Sequence, residues 1–469
     1  MSRHGPTRAP RAVRRTLTAL YGAAIAAVDP HRVAVAALTL GRRRLVARGR
    51  RGWASLPLRH GVVVVGAGKG AGGLAAGVEA VLGPHVVGGV VIVPAGYERT
   101  LAGIALVHGG HPVPDRQSHA ATRRLLGVLG RHPEAAVLVL LTGGASSLLA
   151  APAPGLTLAD ERRMSAWLLA SGIDIAGMNA VRKHLSAIKG GRLAARLVGR
   201  PAAALVVSDV PGDDLAVVGS GPTVGDSTTF AEALAVVRAA DVVRPVPSRA
   251  LRHLELGARG RLAETPKPGS LAARACPTLL VAANATARAA AVAWARRAGV
   301  ETIVSLRRPL TGDPETAARV IARWIRRCQA TLGGSLPALV IAGGETTVRL
   351  GDTVGRGGRN QEVAVAVAAE LAGIPGWALL AAGTDGVDGP TDAAGAFADG
   401  KTAGRAIRAG RPLADALGGH DVHPCLAALG DLFAPGPTGT NVADLVMALV
   451  WKDRGWRLPP RVIQMMRGR

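Results

Sequence analysis

Short, uninterrupted apolar runs alternate with longer amphipathic segments along most of the chain. In the first half this pattern predicts an opening helical stretch at residues 17–46, then strands at 62–65, 86–93, 135–141 and 203–207, and helices at 71–82, 158–171, 179–196 and 230–240. Strands that are apolar throughout are typical of a parallel sheet with both faces buried. The first half is therefore predicted to fold as α/β.

A second alternation follows residues 257–275, a stretch rich in Gly, Pro and Arg that is predicted to be an inter-domain linker. The elements predicted beyond it are strands at 278–283, 302–306, 338–342 and 377–382, and helices at 285–298, 314–329 and 363–371. The chain thus divides into a Rossmann-like N-terminal domain at 1–256, a C-terminal α/β domain at 276–450 and a basic tail at 451–469. We expect each domain to have a mostly parallel sheet flanked by helices. Since such sheets bind ligands beyond the carboxyl ends of their strands, we expect an active-site cleft between the domains.

Composition narrows the classes of function. The 469 residues suffice for two cores, and because hydrophobic residues make up 48% but aromatic residues only 3%, Ala, Val and Leu must fill them. The formal charge of +25 is typical of nucleic-acid binding. However, only six of the 57 basic residues are lysine, and no aromatic side chains are interleaved to stack on bases. A compositional bias explains the charge better, and we expect no nucleic-acid partner.

Cysteine usage and hydropathy indicate the compartment. Three cysteines without CxxC spacing disfavour a disulfide framework or a zinc site and fit a reducing environment. Two arginines precede apolar residues 17–28, as in an export signal, but polar residues interrupt that run. No apolar run reaches the ~18–20 residues of a membrane span. The expected location is the cytoplasm, without a membrane partner.

Glycines follow the first predicted strand, with the sequence GAGKG at residues 66–70. The spacing fits a dinucleotide fingerprint, but the acid that would hold a ribose about 20 residues later is missing. The spacing also differs from a Walker A loop. Two interpretations stay open: a tight strand–helix turn, or a helix N-terminus whose amides face an anion together with Gly68 and Lys69.

Two further segments of the first half carry candidate ligand-binding side chains. In LTGGASS at residues 141–147, Gly143, Gly144, Ser146 and Ser147 suggest a cradle for a carboxylate or phosphate, because the G-x-S-x-G frame of a nucleophilic serine is absent. Helix capping by a serine is the alternative. Asp209 follows a predicted strand, where an acid can bind Mg²⁺ or take a proton, or merely cap the next turn.

Arg182 and Lys189 lie seven positions apart on one predicted helix and so can share a face. A charged helical face is often simply solvated. The alternative, which we favour, is that both side chains face an anion.

Glycine clusters also border the apolar segments of the second half, at residues 343–347, 355–362, 383–392 and 436–442. Glycine lets the backbone approach a ligand closely. Arg359 offers a fork that matches phosphate or carboxylate, and Asp385 and Asp388 offer hard oxygens suited to Mg²⁺. Glu345, Asn360 and Gln361 accompany them, and Thr438 and Asn441 open another predicted helix. Together these residues suggest a phosphorylated, metal-bound ligand.

These segments, in this order, closely resemble the glycerate 2-kinases of the MOFRL type, which carry an N-terminal DUF4147-like domain. GGHPVPD at 109–115, NAVRKHLS at 179–186 and SDVPGDD at 208–214 extend the resemblance over most of residues 17–450. The resemblance implies transfer of the γ-phosphoryl group of ATP to the 2-hydroxyl of D-glycerate, giving 2-phosphoglycerate, with Mg²⁺ as cofactor. The expected partners are glycerate and ATP, and a homodimer is left open.

The resemblance also implies roles for individual residues. Lys69 and Arg359 are expected to bind the transferring phosphoryl group and the substrate carboxylate, Asp209 to handle metal or proton, and Asp385 and Asp388 to hold Mg²⁺. The expected substrate- and nucleotide-binding residues are Gly68, Gly143, Gly144, Ser146, Ser147, Arg182, Lys189, Glu345, Asn360, Gln361, Thr438 and Asn441.

Two other classes of function stay open. One is an NAD(P)H-dependent hydroxypyruvate reductase, against which the missing ribose acid argues. The other is a basic anion- or nucleic-acid-binding protein, which rests on the charge alone.

Overall fold

The computed structural model describes residues 11–97, 99–240, 245–331, 337–349 and 355–451, so the predicted basic tail beyond residue 451 lies outside the described residues. Residue contacts divide the chain into two compact units. The first unit spans residues 29–283, and the second combines the N-terminal helix with the chain from residue 284 onward. The boundary therefore lies at residue 283 rather than at 257–275.

Helix α1 (Arg11–Ala27) precedes the first unit in sequence but belongs to the second unit. The first unit begins after this helix. Its elements are α2 (Pro30–Ala37), β1 (Leu38–Leu40), β2 (Arg44–Arg48), β3 (Trp53–Pro57), β4 (Val62–Ala67), α3 (Ala71–Leu82), β5 (Val86–Val93), β6 (Ala105–His108), α4 (Arg116–Arg131), β7 (Ala136–Leu141), α5 (Ala145–Leu148), α6 (Leu158–Ala170), α7 (Ile175–His184), α8 (Arg192–Ala195), β8 (Ala202–Val207), α9 (Phe230–Ala239), α10 (Ser248–Ala258), α11 (Leu271–Arg274) and β9 (Thr278–Ala282).

A six-stranded parallel sheet with the order β6-β5-β4-β7-β8-β9 forms the centre of this unit. Every residue of β4, β7 and β8 is buried, as their continuous apolar runs predict. Counted from its first strand, the sheet has the order 3-2-1-4-5-6 of dinucleotide-binding folds, and the order reverses between β4 and β7. The glycine loops that follow these two strands therefore open at the point where such sheets bind ligands.

Four predictions about this unit need correction. The helical stretch predicted at 17–46 ends with α2 at Ala37, and strands β1 and β2 follow. Strand β9, which we assigned to the C-terminal domain, pairs with β8 and completes the first sheet. The segment predicted as an inter-domain linker, 257–275, lies within this unit, where residues 257–258 end α10 and residues 271–274 form α11. The helix predicted at 179–196 is two helices, because Gly190 and Gly191 take φ values of 56° and 77° that interrupt it.

The second unit contains α1 and the remaining elements. These are α12 (Asn284–Arg297), β10 (Thr302–Ser305), α13 (Pro314–Thr331), β11 (Ala338–Gly344), α14 (Arg359–Glu370), β12 (Trp377–Gly383), β13 (Gly395–Asp399), α15 (Thr402–Arg408), α16 (Leu413–Gly418), α17 (Val422–Leu429), β14 (Leu432–Phe433) and β15 (Asp444–Val450).

The sheet of the second unit has the order β10-β11-β15-β12-β13-β14. The α/β class is confirmed, but only β10 and β11 pair in parallel, so this sheet is mixed rather than mostly parallel. One reason is the connection from β12 to β13, residues 384–394, which contains no helix. It is shorter than the dozen or more residues that a parallel crossover needs, so these two strands pair antiparallel. Strand β15 is the last of the described strands in sequence, yet it lies between β11 and β12.

Helix α1 packs against α12, β12 and β15, far away in the sequence. Its buried face includes Leu17, Leu20 and Ala24, and the Tyr21 hydroxyl donates to the Gly383 carbonyl at 2.8 Å. The apolar stripe of this helix therefore completes the core of the second unit. Among the described residues, no helix has both the length and the apolar character that crossing a membrane requires.

Candidate active site

Three backbone amides of the loop after β4 donate hydrogen bonds to other groups of the protein. Gly68 N donates to a carbonyl of β5 at 3.0 Å, Lys69 N to Gly143 O at 2.9 Å, and Gly70 N to Thr142 Oγ1 at 3.0 Å. Gly68 has a φ of 134°, and a Cβ there would lie 2.1 Å from Thr142 Oγ1, so this turn requires glycine. Because these three amides have acceptors within the protein, the geometry favours the interpretation as a tight strand–helix turn, to which the loop adds the half-buried Lys69 side chain.

The loop after β7 brings three side chains of the first unit together. A Cβ on Gly143 would lie 1.9 Å from Asp209 Oδ2, and one on Gly144 would lie 3.0 Å from His111 Cδ2 and 3.6 Å from Lys69 Cγ. Lys69, Asp209 and His111 therefore surround this pair of glycines. Burial and the positive charge of Lys69 lower the pKa of His111, so its imidazole is neutral at pH 7.

We expect Gly143→Ala to push the Asp209 carboxylate out of place while leaving the fold intact, because Gly143 has an ordinary φ and the added methyl group meets the end of a side chain. If Asp209 takes the substrate proton, kcat/KM should fall by about 10²–10⁴-fold, the usual contribution of a general base. Steady-state kinetics of this variant measure the effect. Gly130→Ala, where a Cβ meets nothing within 4 Å, is the matched control, and wild-type activity in Gly143→Ala would contradict the role of Asp209.

A cavity of about 230 Å³ opens beside these loops within the first unit. Its wall combines charged, hydroxyl and apolar groups: His111, Pro112, Pro114, Gly144, Ser146, Ser147, Glu161, Ser165, Leu169, Ile175, Met178, Arg182 and Lys189. Arg182 and Lys189 both line this cavity, but the prediction that they share a face of one helix is wrong, because Lys189 lies beyond the end of α7. Burial lowers the pKa of Arg182, and the nearby Glu161 carboxylate opposes that shift.

The cavity wall contains a buried ion pair that sequence reasoning missed. Lys189 Nζ donates to Glu161 Oε1 at 2.9 Å, and the two side chains are 3% and 8% exposed. Glu161 lies on α6 on the same buried face as Met164 and Leu168. The sequence offered one signal for Glu161, an acidic residue on the apolar stripe of an amphipathic helix, but no glycine cluster lies next to this residue.

The two serines of the cavity wall already bond within the protein. Ser146 Oγ lies 2.8 Å from Ser220 Oγ, which donates to Asn179 Oδ1 at 2.8 Å. Ser147 Oγ donates to Gly144 O at 3.2 Å. Each hydroxyl keeps further hydrogen-bonding capacity, so the predicted cradle is compatible with the geometry.

Two further charged residues of α7 belong to a different, buried network. Lys183 Nζ donates to Asp226 Oδ1 at 3.2 Å, with side-chain exposures of 6% and 0%. His184 Nε2 lies 3.1 Å from Glu264 Oε2. The helix thus presents Arg182 to the cavity and its next two residues to the interior, where they stabilise the fold.

In the second unit, Arg359 is held by two carboxylates. Its Nε and Nη2 donate to Asp444 at 2.7 and 3.0 Å, and its Nη1 donates to Glu345 Oε1 at 2.6 Å. Asp444 opens β15 opposite Gly344 and Gly383, the last residues of β11 and β12. The predicted set did not include Asp444, for which the only signal was an acid at the head of an apolar strand.

The Arg359 cluster contains more acidic than basic side chains. A Cβ on Gly383 would lie 3.2 Å from Asp385 Oδ1 and 3.6 Å from Asp444 Oδ1, so both carboxylates flank this glycine. Burial raises the pKa of Glu345, and Arg359 opposes that shift. Although burial alone lowers the pKa of Arg359, Asp444 and Glu345 raise it, so the guanidinium stays charged. One guanidinium among three acids leaves a surplus that favours a bound cation.

Asp388 does not fit the predicted role of metal ligand. Its Oδ1 accepts from Asn360 N and Nδ2, both at 3.1 Å, and its Oδ2 accepts from Gln361 N at 2.9 Å and Nε2 at 3.2 Å. The carboxylate thereby satisfies the N-terminus of α14, where negative charge is favoured. The side chains of Asn360 and Gln361 thus hold Asp388 in place, and their roles in binding a ligand stay predictions. Within the described ranges, no group of three or more His, Cys, Asp or Glu is arranged to hold a metal.

Residues 436–443 form a loop that leads into β15, not the predicted helix start. Thr438 Oγ1 donates to Thr384 O at 2.6 Å, and Thr438 N donates to Asp385 O at 3.2 Å. Asn441 Oδ1 accepts from Ala443 N at 3.0 Å, which supports the φ of 64° at Ala443. These side chains therefore fix the turn that carries Asp385.

Comparison with known proteins identifies the family. A family model described as a domain of unknown function, DUF4147, matches residues 16–255, and the model of the MOFRL family matches residues 338–444. The glycerate 2-kinase of Pyrococcus horikoshii is 34% identical, over 93% of this chain and 97% of that protein. A putative hydroxypyruvate reductase of Agrobacterium vitis is 38% identical, over 93% of this chain and 94% of that protein.

A solved structure agrees with this assignment. The crystal structure of a glycerate kinase from Thermotoga maritima has a TM-score of 0.79 and 34% identity, over 94% of this chain and 100% of that one. Similarity of this extent, with a dinucleotide-type sheet and the glycine-bordered motifs in place, shows that the chain belongs to the MOFRL-type glycerate 2-kinase family and is an enzyme, a kinase.

Proposed function

We propose that this kinase transfers the γ-phosphoryl group of ATP to the 2-hydroxyl of D-glycerate, giving 2-phosphoglycerate, with Mg²⁺ as the required cation. The observation that carries the proposal is the cavity of about 230 Å³ whose wall includes Arg182 and Lys189. It is smaller than the roughly 300–1,000 Å³ of sites for drug-sized ligands, so it suits a three-carbon acid rather than a nucleotide. Two cations against the single carboxylate of Glu161 favour an anionic substrate.

In this proposal Arg182 and Lys189 hold the substrate carboxylate, and the Lys69 ammonium stabilises the transferring phosphoryl group. Asp209, which lies against Gly143 beside Lys69, accepts the proton of the attacking hydroxyl. Phosphoryl transfer depends mainly on positioning and on positive charge at the phosphoryl oxygens, and these side chains supply both.

We propose that the Arg359 cluster serves the phosphates of the nucleotide. Arg359 contributes positive charge, and Asp385 is our candidate ligand for the cation. Mg²⁺ is usually bound through one or two carboxylates together with substrate phosphates, which fits a cluster that has no complete metal cage among the described residues. When bound, Mg²⁺ would neutralise charge on the β- and γ-phosphoryl oxygens.

The reductase name carried by the Agrobacterium relative makes hydroxypyruvate reduction the second candidate. Two observations on this chain count against a nicotinamide dinucleotide. The three loop amides after β4 are already used, and Val93, the last residue of β5, is followed by Pro94, Ala95 and Gly96 rather than an acid.

Parallel assays of the purified protein test the proposed function. We expect ADP release from ATP that depends on D-glycerate and Mg²⁺, and no oxidation of NADH or NADPH with hydroxypyruvate. Reductase turnover without ADP release would replace the proposal. All three cysteines are free and buried, in keeping with the reducing cytoplasm that we propose as its location.

A further inference from the structure

One carboxylate oxygen of Glu161 receives no hydrogen bond from the described part of the chain. The side chain is 8% exposed, and its Oε1 accepts from Lys189 Nζ at 2.9 Å. Its Oε2 is also buried, and no N–H or O–H of the described residues donates to it. Leaving a buried carboxylate oxygen without a donor is unfavourable. Glu161 lines the cavity, so rotation of its carboxylate would bring Oε2 to a ligand there, which can supply the missing donor.

We propose that Glu161 accepts a hydrogen bond from the non-reacting hydroxyl of the substrate and so selects 2-hydroxy acids that carry a second hydroxyl group. The inference rests on the proposed function, in which the 2-hydroxyl is the one phosphorylated. Glycerate places its carboxylate near Arg182 and Lys189, and its 3-hydroxyl donates to Glu161. An analogue without that hydroxyl leaves the buried acceptor unpaired and is rejected.

The rest of the cavity wall does not supply this discrimination. Leu169, Ile175 and Met178 form its apolar part, and an apolar surface distinguishes a methyl from a hydroxymethyl group by only about 10–200-fold. Ser146 and Ser147 can still bond a ligand, but they are uncharged and each already has a partner within the protein, so an analogue without the hydroxyl leaves no buried charge unpaired at either. A charged acceptor without a donor discriminates more strongly than any of these groups.

The test compares D-glycerate with D-lactate, in which a methyl group replaces the hydroxymethyl group, on wild type and Glu161→Gln. Sites built to bind a hydroxyl reject the analogue lacking it by about 10⁴–10⁵-fold, and we expect wild type to approach that preference in kcat/KM. In Glu161→Gln the amide oxygen faces Lys189 and an N–H₂ group replaces the acceptor. The ratio of kcat/KM for D-glycerate to that for D-lactate should then fall at least tenfold, mainly because D-glycerate binds more weakly. Calorimetric titration with each acid, without nucleotide, gives a readout independent of turnover.

Arg162→Ala, at an exposed position of the same helix outside the cavity wall, is the matched control and should keep the wild-type preference. An equal loss for both acids in Glu161→Gln would overturn the inference, because Glu161 would then only position Lys189. If Glu161→Gln does not fold, Glu161→Asp, which withdraws the carboxylate by one methylene, should narrow the preference in the same way. If wild type phosphorylates neither acid, the proposed function fails, while the two titrations still decide the role of Glu161.

Discussion

Replacing Arg359 by alanine should lower kcat/KM by about 10³–10⁵-fold, the range found for arginines that stabilise charge in phosphoryl transfer. The physical reason is the loss of the guanidinium that opposes the surplus of acid formed by Glu345, Asp385 and Asp444. Nucleotide phosphates would then meet only negative charge in this cluster. Steady-state kinetics with varied ATP measure the loss.

Arg359→Ala also leaves the buried Asp444 without its partner, which should lower the free energy of unfolding by roughly 1–3 kcal/mol. The double variant Arg359→Ala/Asp444→Asn separates the two effects, because it removes the unpaired charge without restoring the arginine. We expect it to recover stability but not activity. Recovery of activity in the double variant would show that Arg359 serves only to neutralise Asp444.

Asp226→Ala should lower the free energy of unfolding by about 3–5 kcal/mol, because it leaves a charged lysine buried without a counter-ion. Asp226 accepts from Lys183 Nζ at 3.2 Å, from Thr228 N at 3.0 Å and Oγ1 at 2.7 Å, and from Thr265 Oγ1 at 3.0 Å. Urea denaturation measures the loss. Glu255→Ala breaks the exposed Arg238–Glu255 pair and is the control, with an expected change below about 1 kcal/mol. Equal effects of the two substitutions would contradict the account of the buried network.

The same network should make stability depend on pH. Although burial alone raises the pKa of Asp226, Lys183 and the hydrogen bonds from Thr228 lower it below its ordinary value. The stabilisation is therefore fully present above the pKa of the unfolded state and is lost as the pH falls through the lower, folded-state pKa. In Asp226→Ala the free energy of unfolding should therefore fall less as the pH is lowered than it does in wild type.

The local pattern of the sequence predicts the first unit well. The apolar runs at β4, β7 and β8 and the glycines after them depend on neighbouring residues only, and they indicate both a buried parallel sheet and its binding edge. Pairing between distant strands leaves no such local mark. For this reason β9 was assigned to the wrong domain, and the central position of β15 was not foreseen.

The candidate site shows the same contrast between what a local pattern predicts and what depends on distant segments. Lys69, Asp209, Arg182 and Lys189 follow from motifs at strand and helix ends, and the structure places them around the glycine loops and the cavity of the first unit. Which oxygens and amides stay available to a ligand depends on contacts between distant segments. That is why the saturated carboxylate of Asp388 and the unsatisfied one of Glu161 could not be distinguished by sequence.

The position of the phosphate on the product tests the central claim most directly. D-glycerate, ATP and Mg²⁺ are incubated with the purified kinase and enolase, without a phosphoglycerate mutase, while ADP and phosphoenolpyruvate are both followed. Because enolase acts on 2-phosphoglycerate, the account predicts that phosphoenolpyruvate appears in step with ADP. ADP release that depends on D-glycerate but gives no phosphoenolpyruvate would show that the product is not 2-phosphoglycerate and contradict the proposed reaction.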